Sequence, residues 1–336
     1  MHMPHLTAIH SVTNSRECNY IITDLSPLSG LSALTYLNIS GCRGILDLVP
    51  LSGLTALSTL DIRGCFEIAN LTPLSGLRSL TNLGIDFCCK VINLNPLSGL
   101  TALTNLRCSF CFEITSMSPL SRLSFLSFLD ASSCHVITDL APLSRLSALT
   151  YLDISSCRNI NNLGPLAGMS TLSTLDISAC QRISNLSPLS GIFSLSTLNI
   201  SLYSQKMTAL DIFYRLSGRD FGYNNISDLT PLSGLTALST LSANGGHKII
   251  SLTPLSRLSA LSNLDVSGCS ISDLTPLSGL LALSDLDDIR GCQNVSNLTP
   301  LSGLYALSSL NICGCKRLTP LDVSSILNRT TLKVIQ

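Results

Sequence analysis

Leucine and isoleucine recur along this chain in a pattern whose period changes within each short unit. Between Thr55 and Leu77, Leu57, Leu60 and Ile62 run L-x-x-L-x-I, and the alternation of the last two predicts a short strand with one face buried. After Cys65 the apolar positions are Phe66, Ile68 and Leu71. The segment PLSGL then carries Leu74 and Leu77 three apart, the spacing of a loose helical or 3₁₀ turn opened by Pro73. Each unit supplies one strand and one tight return. A single unit cannot bury its own leucines, whereas stacked units share a core.

The unit repeats along almost the whole chain. Pro-Leu pairs stand 23 residues apart from Pro27 to Pro188, in seven equal steps, and resume at Pro231, Pro254, Pro276 and Pro300. The 43 residues between Pro188 and Pro231 divide as 21 plus 22 if Ala209 replaces a proline. This division predicts a degenerate coil at about 203–223, with Phe221 in the strand isoleucine slot and Arg219 where a core leucine belongs. The array is expected over 21–317, preceded by a degenerate repeat or partial cap at 1–20 and followed by a terminal partial repeat or cap at 318–336. In that last stretch Val323, Ile326 and Leu327 suit a short capping helix and TTLKVIQ a final strand. Both caps are thin, which leaves self-association through the ends open.

The motif L-x-x-L-x-[LI]-x-x-[NC], extended by [IV]-x-[DN]-L-x-P-L-x-x-L, resembles the leucine-rich-repeat family. It resembles in particular the short-repeat branch seen in bacterial internalins and phosphatase-regulatory repeat proteins. The likeness covers about Ile22 to Leu321. It implies an α/β solenoid: a right-handed horseshoe or arc with a parallel sheet on the concave side and short 3₁₀ or loop segments on the convex side. Such proteins usually serve as binding scaffolds and share no catalytic residue, so the resemblance implies no enzyme and no cofactor.

Cysteine falls into one column of this register: Cys42, Cys65, Cys88, Cys111, Cys134, Cys157 and Cys180, and again Cys269, Cys292 and Cys315, with Asn224 at the same place in the irregular region. A small, weakly polar thiol suits a buried bend after the strand. Three chemical readings compete with packing. Zinc needs four converging ligands, yet the single C-x-x-C pair, Cys108 with Cys111, places Cys108 in a core strand slot. Disulfides need facing Cβ vectors, which equivalent positions on successive coils lack. A nucleophilic cysteine needs an adjacent base, and of five histidines, His135 beside Cys134 alone is suggestive. Packing is the expected role of the column.

Composition narrows the partner. Lys plus Arg equals Asp plus Glu at 20 each and only 12% of residues are charged, so nothing favours nucleic acid or acidic lipid. Mean hydropathy is high at +0.42, but polar residues interrupt every apolar run, and no membrane span is expected. The start shows no basic flank before an apolar run, and 14 cysteines fit a reducing compartment. A cytoplasmic location is therefore expected. Sequons such as Asn70-Leu-Thr72 and Asn297-Leu-Thr299 arise from the repeat consensus itself.

The expected working surface is the outward side of the strands. Asp61, Asp130, Asp153 and Asp176 follow the second strand leucine, the last three on consecutive rungs. Like charges at that spacing call for compensation by solvent, neighbouring serines, a cation or a protein partner with a basic patch. Tyr36, Phe128 and Tyr151 precede that leucine where other repeats have threonine, and aromatics beside charge make an interface hot spot. The reading is a non-catalytic protein-interaction scaffold that binds through its strand face, centred on Phe128 to Asp176. The rival is a passive structural array or a fragment of a surface or adhesion protein, favoured by the sameness of many exposed strand positions.

Overall fold

The computed structural model describes residues 11–13, 22–202, 225–327 and 332–335. It divides into two compact units, Met1–Cys157 and Arg158–Gln336.

In the first unit the described strands are β1 (Ser11–Thr13), β2 (Tyr36–Asn38), β3 (Thr59–Asp61), β4 (Asn82–Gly84), β5 (Asn105–Arg107), β6 (Phe128–Asp130) and β7 (Tyr151–Asp153). Each is parallel to the next and in strict register, so Leu37 faces Leu60 and Leu129 faces Leu152. The central leucine is buried while the first residue of each of β2 to β7 stays half-exposed. The ladder continues past the strands, because Ile62 N–H donates to the Gly84 carbonyl at 2.9 Å and Gly64 N–H to that of Asp86 at 2.8 Å. Equivalent residues thus stack at the spacing of neighbouring strands, the basis of the columns described below.

The return is a 3₁₀ turn such as Thr72–Leu74, with proline in its first positions. Its start is held by the residue before the buried Leu71: Asn70 Oδ1 accepts from Thr72 N–H at 2.9 Å, as Asp47 does from Val49 N–H at 2.8 Å. This Asx turn supplies the acceptor that an otherwise orphan N–H requires and accounts for the Asp or Asn two residues ahead of the turn. Leu74 and Leu77 then point inward, both fully buried.

The second unit repeats this plan with β8 (Thr174–Asp176), β9 (Thr197–Asn199), β10 (Thr240–Ser242), β11 (Asn263–Asp265), β12 (Asp285–Asp288), β13 (Ser309–Asn311) and β14 (Lys333–Ile335). Strand β9 pairs directly with β10, Thr197 opposite Thr240. The degenerate coil expected at about 203–223 lies outside the described residues. At β12 the register shifts: Asn263 faces Asp285 but Asp265 faces Asp288. One extra residue is taken up inside the strand, a bulge, because Leu286 and Ile289 on either side of it are both fully buried.

A helix, α1 (Pro320–Leu327), follows β13. Thr319 N–H and hydroxyl both donate to Asp322 Oδ2, at 2.8 and 2.6 Å, a reciprocal cap of the first helical turn. Strand β14 then pairs with β13, Lys333 opposite Ser309. No described helix is long and apolar enough to cross a membrane.

Candidate functional site

The cysteine column lies under the bend that follows each strand. In the first unit all six members are fully buried, and in the second Cys180, Cys269, Cys292 and Cys315 are at most 8% exposed. The thiols of Cys65, Cys88, Cys111, Cys134, Cys157, Cys269, Cys292 and Cys315 share one kind of acceptor, the carbonyl 26 residues earlier on the preceding coil. Cys111 Sγ donates to Ile85 at 3.1 Å, Cys134 to Cys108 at 3.2 Å and Cys157 to Ala131 at 3.2 Å. In the second unit Cys292 donates to Val266 and Cys315 to Ile289, both at 3.2 Å. Backbone groups of the same residue are also paired: Cys65 N–H donates to Ile62, and its carbonyl accepts from Ile68, both at 3.1 Å. Removal from water pushes the thiols of Cys65, Cys269 and Cys292 up to about 12. They are protonated donors at neutral pH and poor nucleophiles.

The described cysteines are all free thiols. Among the described residues no group of three His, Cys, Asp or Glu side chains converges as metal ligands would. The Cys134–His135 neighbours do not form a nucleophile–base pair. The Cys134 thiol is spent on the Cys108 carbonyl, while His135 Nδ1 lies 2.9 Å from the Ser156 carbonyl and its ring stacks on Phe112 at 5.5 Å. One member of the column escaped counting. Gly246 fills it on the β10 coil, where an added Cβ would come within 2.6 Å of Ile249 Cδ1 and 3.2 Å of Cys269 Sγ. Asn224 lies outside the described residues.

On the strand face, the aspartates do not stand out in solvent as a uniform row. Asp130 and Asp153 are only 3% and 1% exposed. Asp130 Oδ1 accepts from Ser132 N–H at 3.2 Å and from its hydroxyl at 2.8 Å, and Asp153 Oδ1 accepts from Ser155 N–H at 2.9 Å. In the second unit Asp176 does the same with Ser178, at 2.8 and 2.6 Å, and Asn199 Nδ2 donates to its other oxygen at 2.9 Å. These carboxylates brace the bend between strand and thiol column, supplying acceptors to N–H groups turned away from the ladder. These donors offset part of the carboxylates' charge. The D-x-S spacing was the available signal. Asp61 differs, because Arg63 replaces the serine: Nε and Nη2 donate to its two oxygens at 2.8 and 2.6 Å.

Aromatic side chains form two groups in the first unit. Phe128 and Tyr151, half-exposed on adjacent strands, stack at 4.2 Å with planes 7° apart, and the Arg107 guanidinium lies 4.8 Å over the Phe128 ring. Tyr36 occupies the same column on β2, opposite Thr59. The second group was not foreseen: Phe87 and Phe110 stack at 4.5 Å at the bend, with Phe112 edge-on to Phe110 at 6.1 Å. Both have left-handed backbones, φ 61° and 58°, where Gly41 and Gly64 have 77° and 72°. A bulky residue there is strained, and the stack offsets part of the cost. Their separation by one repeat, each just ahead of a column cysteine, was the signal.

In each unit, stacked three-residue parallel strands, proline-opened 3₁₀ returns and a buried donor column define a leucine-rich-repeat fold. Among solved structures, an internalin, InlF of Listeria monocytogenes, matches with a TM-score of 0.66 at 24% identity, over 98% of this chain and 82% of that one. The functional domain of InlJ from the same organism, described as including a cysteine ladder, matches with a TM-score of 0.52 at 22% identity, over 91% of this chain and 68% of that one. At these identities the likeness establishes the fold. No family model and no curated protein matches the sequence.

The cytoplasmic location expected from the sequence is corrected by these matches, since internalins are bacterial surface or secreted proteins. The abundance of cysteine had argued for a reducing compartment. That argument loses its force once the column is seen to be buried and protonated, because such thiols resist oxidation whatever surrounds them.

Proposed function

We propose that this protein works outside the cytoplasm, as internalins do, by binding a protein through the strand face of its first unit, with Phe128 and Tyr151 as the anchor. The observation that carries this reading is the stack itself. Two half-exposed rings are held parallel at 4.2 Å, on strands whose opposite face is fixed by the fully buried Leu129 and Leu152. Rigid aromatics lose little entropy on binding, and arginine beside them is the usual company of an interface hot spot. Asp130 and Asp153 shape this surface as braces, while Asp61 remains partly exposed on β3. A purely passive array is disfavoured because the equivalent positions of the second unit, Thr174, Thr197, Thr240, Asn263, Asp285, Ser309 and Lys333, hold no aromatic residue. The aromatics are confined to one part of the repeat.

A photoreactive benzoylphenylalanine placed at position 151, and in a second preparation at the exposed position 305, tests this against an extract of cell-surface proteins. The expected product forms from position 151 and not from 305. It is competed by excess unlabelled chain but not by chain carrying Phe128→Ala and Tyr151→Ala. Equal products from both positions, or competition by the double variant, would contradict the proposal.

A further inference from the structure

The outward column that follows the strand leucine reads Asn38, Asp61, Gly84, Arg107, Asp130 and Asp153 over β2 to β7. Only β4 contributes no side chain to it, and the gap is an open notch of about 360 Å³ between Asp61 and Arg63 on one side and Arg107 on the other. Asn82 and Asn105, one column over, line its edge. The backbone of Gly84 is not among the left-handed positions. An added Cβ would meet only the Arg63 side-chain carbons at 3.1 and 3.3 Å and Asp61 Oδ1 at 3.3 Å. Glycine there lets the Arg63 side chain lie across β4, so the notch opens beside Arg63, toward Asn105 and Arg107.

The two arginines of the notch differ in what they can offer. Arg63 is clamped in both directions, bidentate on Asp61 and 3.9 Å from Asp86, so its charge is already matched. Arg107 is exposed and has no acidic partner among the described residues. Its guanidinium carbon lies 4.8 Å over Phe128, which holds the plane while leaving its N–H edge available. Asn105, half-exposed beside it, adds an amide donor. A planar cation held in one orientation, without an acidic partner and beside an open depression, suits an oxyanion, and in a protein partner that is a side-chain carboxylate.

We propose that the Gly84 notch receives a glutamate or aspartate side chain of the protein partner, bound bidentate by Arg107 with Asn105 donating to it. The inference rests on the strand-face reading above and gives that partner an acidic contact segment, the opposite sign to the one the aspartate row suggested. Fluorescence anisotropy of labelled hexaglutamate, hexaserine and hexalysine peptides with the intact protein tests it. The expected result is preference for hexaglutamate, weakened by added salt and by about tenfold or more in Arg107→Ala. Arg257→Ala in the second unit leaves binding unchanged. Circular dichroism verifies folding; should Arg107→Ala unfold, Arg107→Lys, which keeps the charge and loses the fork, is expected to bind several-fold more weakly. Binding of hexaglutamate no better than hexaserine, preference for hexalysine, or hexaglutamate binding indifferent to these variants overturns the notch. If position 151 cross-links a partner but Arg107 proves irrelevant, the strand-face reading stands and the notch falls. If hexaglutamate binding depends on Arg107 while position 151 captures nothing, the reverse holds.

Discussion

A thiol that donates to a carbonyl on the preceding coil ties two repeats together at a point where a larger side chain would not fit. The repeated cysteine was legible in the sequence as packing, because a column at constant spacing is a register mark. Its acceptor was not legible, since the partner carbonyl lies 26 residues back and only the stacked coils bring the two together. Proton linkage makes this testable. An unfolded thiol ionises near about 8.5, whereas Cys65, Cys269 and Cys292 hold their protons up to about 12. Their contribution is complete below the unfolded value and is lost as pH rises toward the folded one, at up to about 1.4 kcal/mol per pH unit for each thiol. The urea midpoint is expected to stay level through neutral pH, then fall above about pH 9. The fall should be shallower in a variant carrying Cys65→Ala, Cys269→Ala and Cys292→Ala. A midpoint that does not move up to about pH 11 would show that the thiols are not withheld from water. For the aspartates the sequence left solvent, neighbouring serines, a cation or a basic partner open, and the structure gives Asp130 and Asp153 the N–H of Ser132 and Ser155, with the Ser132 hydroxyl besides.

At the scale of the element, strand and return were both written in the apolar spacing, because L-x-L and P-L-x-x-L have different periods. The bend between them was less legible, since its geometry is set by φ and not by burial. Gly64 sits at φ 72° and Ala179, in the matching place of another coil, at φ 56°. Gly64→Ala is expected to cost about 1 kcal/mol, and Ala179→Gly to stabilise by about 0.5 kcal/mol after the added freedom of the unfolded chain is subtracted. Thermal unfolding of the two variants measures both, and a shift of the same sign for each would contradict the account. The bulge in β12 shows the limit of counting. The interval from Pro276 to Pro300 is 24 residues, one more than usual, yet the surplus lies in the strand, because two buried side chains bracket it there.

At the scale of the whole molecule, the buried thiols and the proposed binding surface occupy different sides of the coil. The thiols face the interior in both units, while the aromatic stack and the Gly84 notch stand on the strand face of the first. The stack followed from two residues one repeat apart, whereas the notch depends on what Gly84 lacks and on Arg63 being occupied elsewhere, neither of which spacing alone reveals. The central claim is that the recurring cysteines hold the coil and perform no reaction, leaving function to the surface. Alkylation of the native protein at neutral pH with iodoacetamide, mapped by mass spectrometry before and after urea, tests it most directly. Cys89 and Cys313, which lie off the column and are half-exposed, should be modified in the native state, and the ten column cysteines only after unfolding. Rapid native modification of Cys65, Cys88, Cys111 or Cys134 would contradict it.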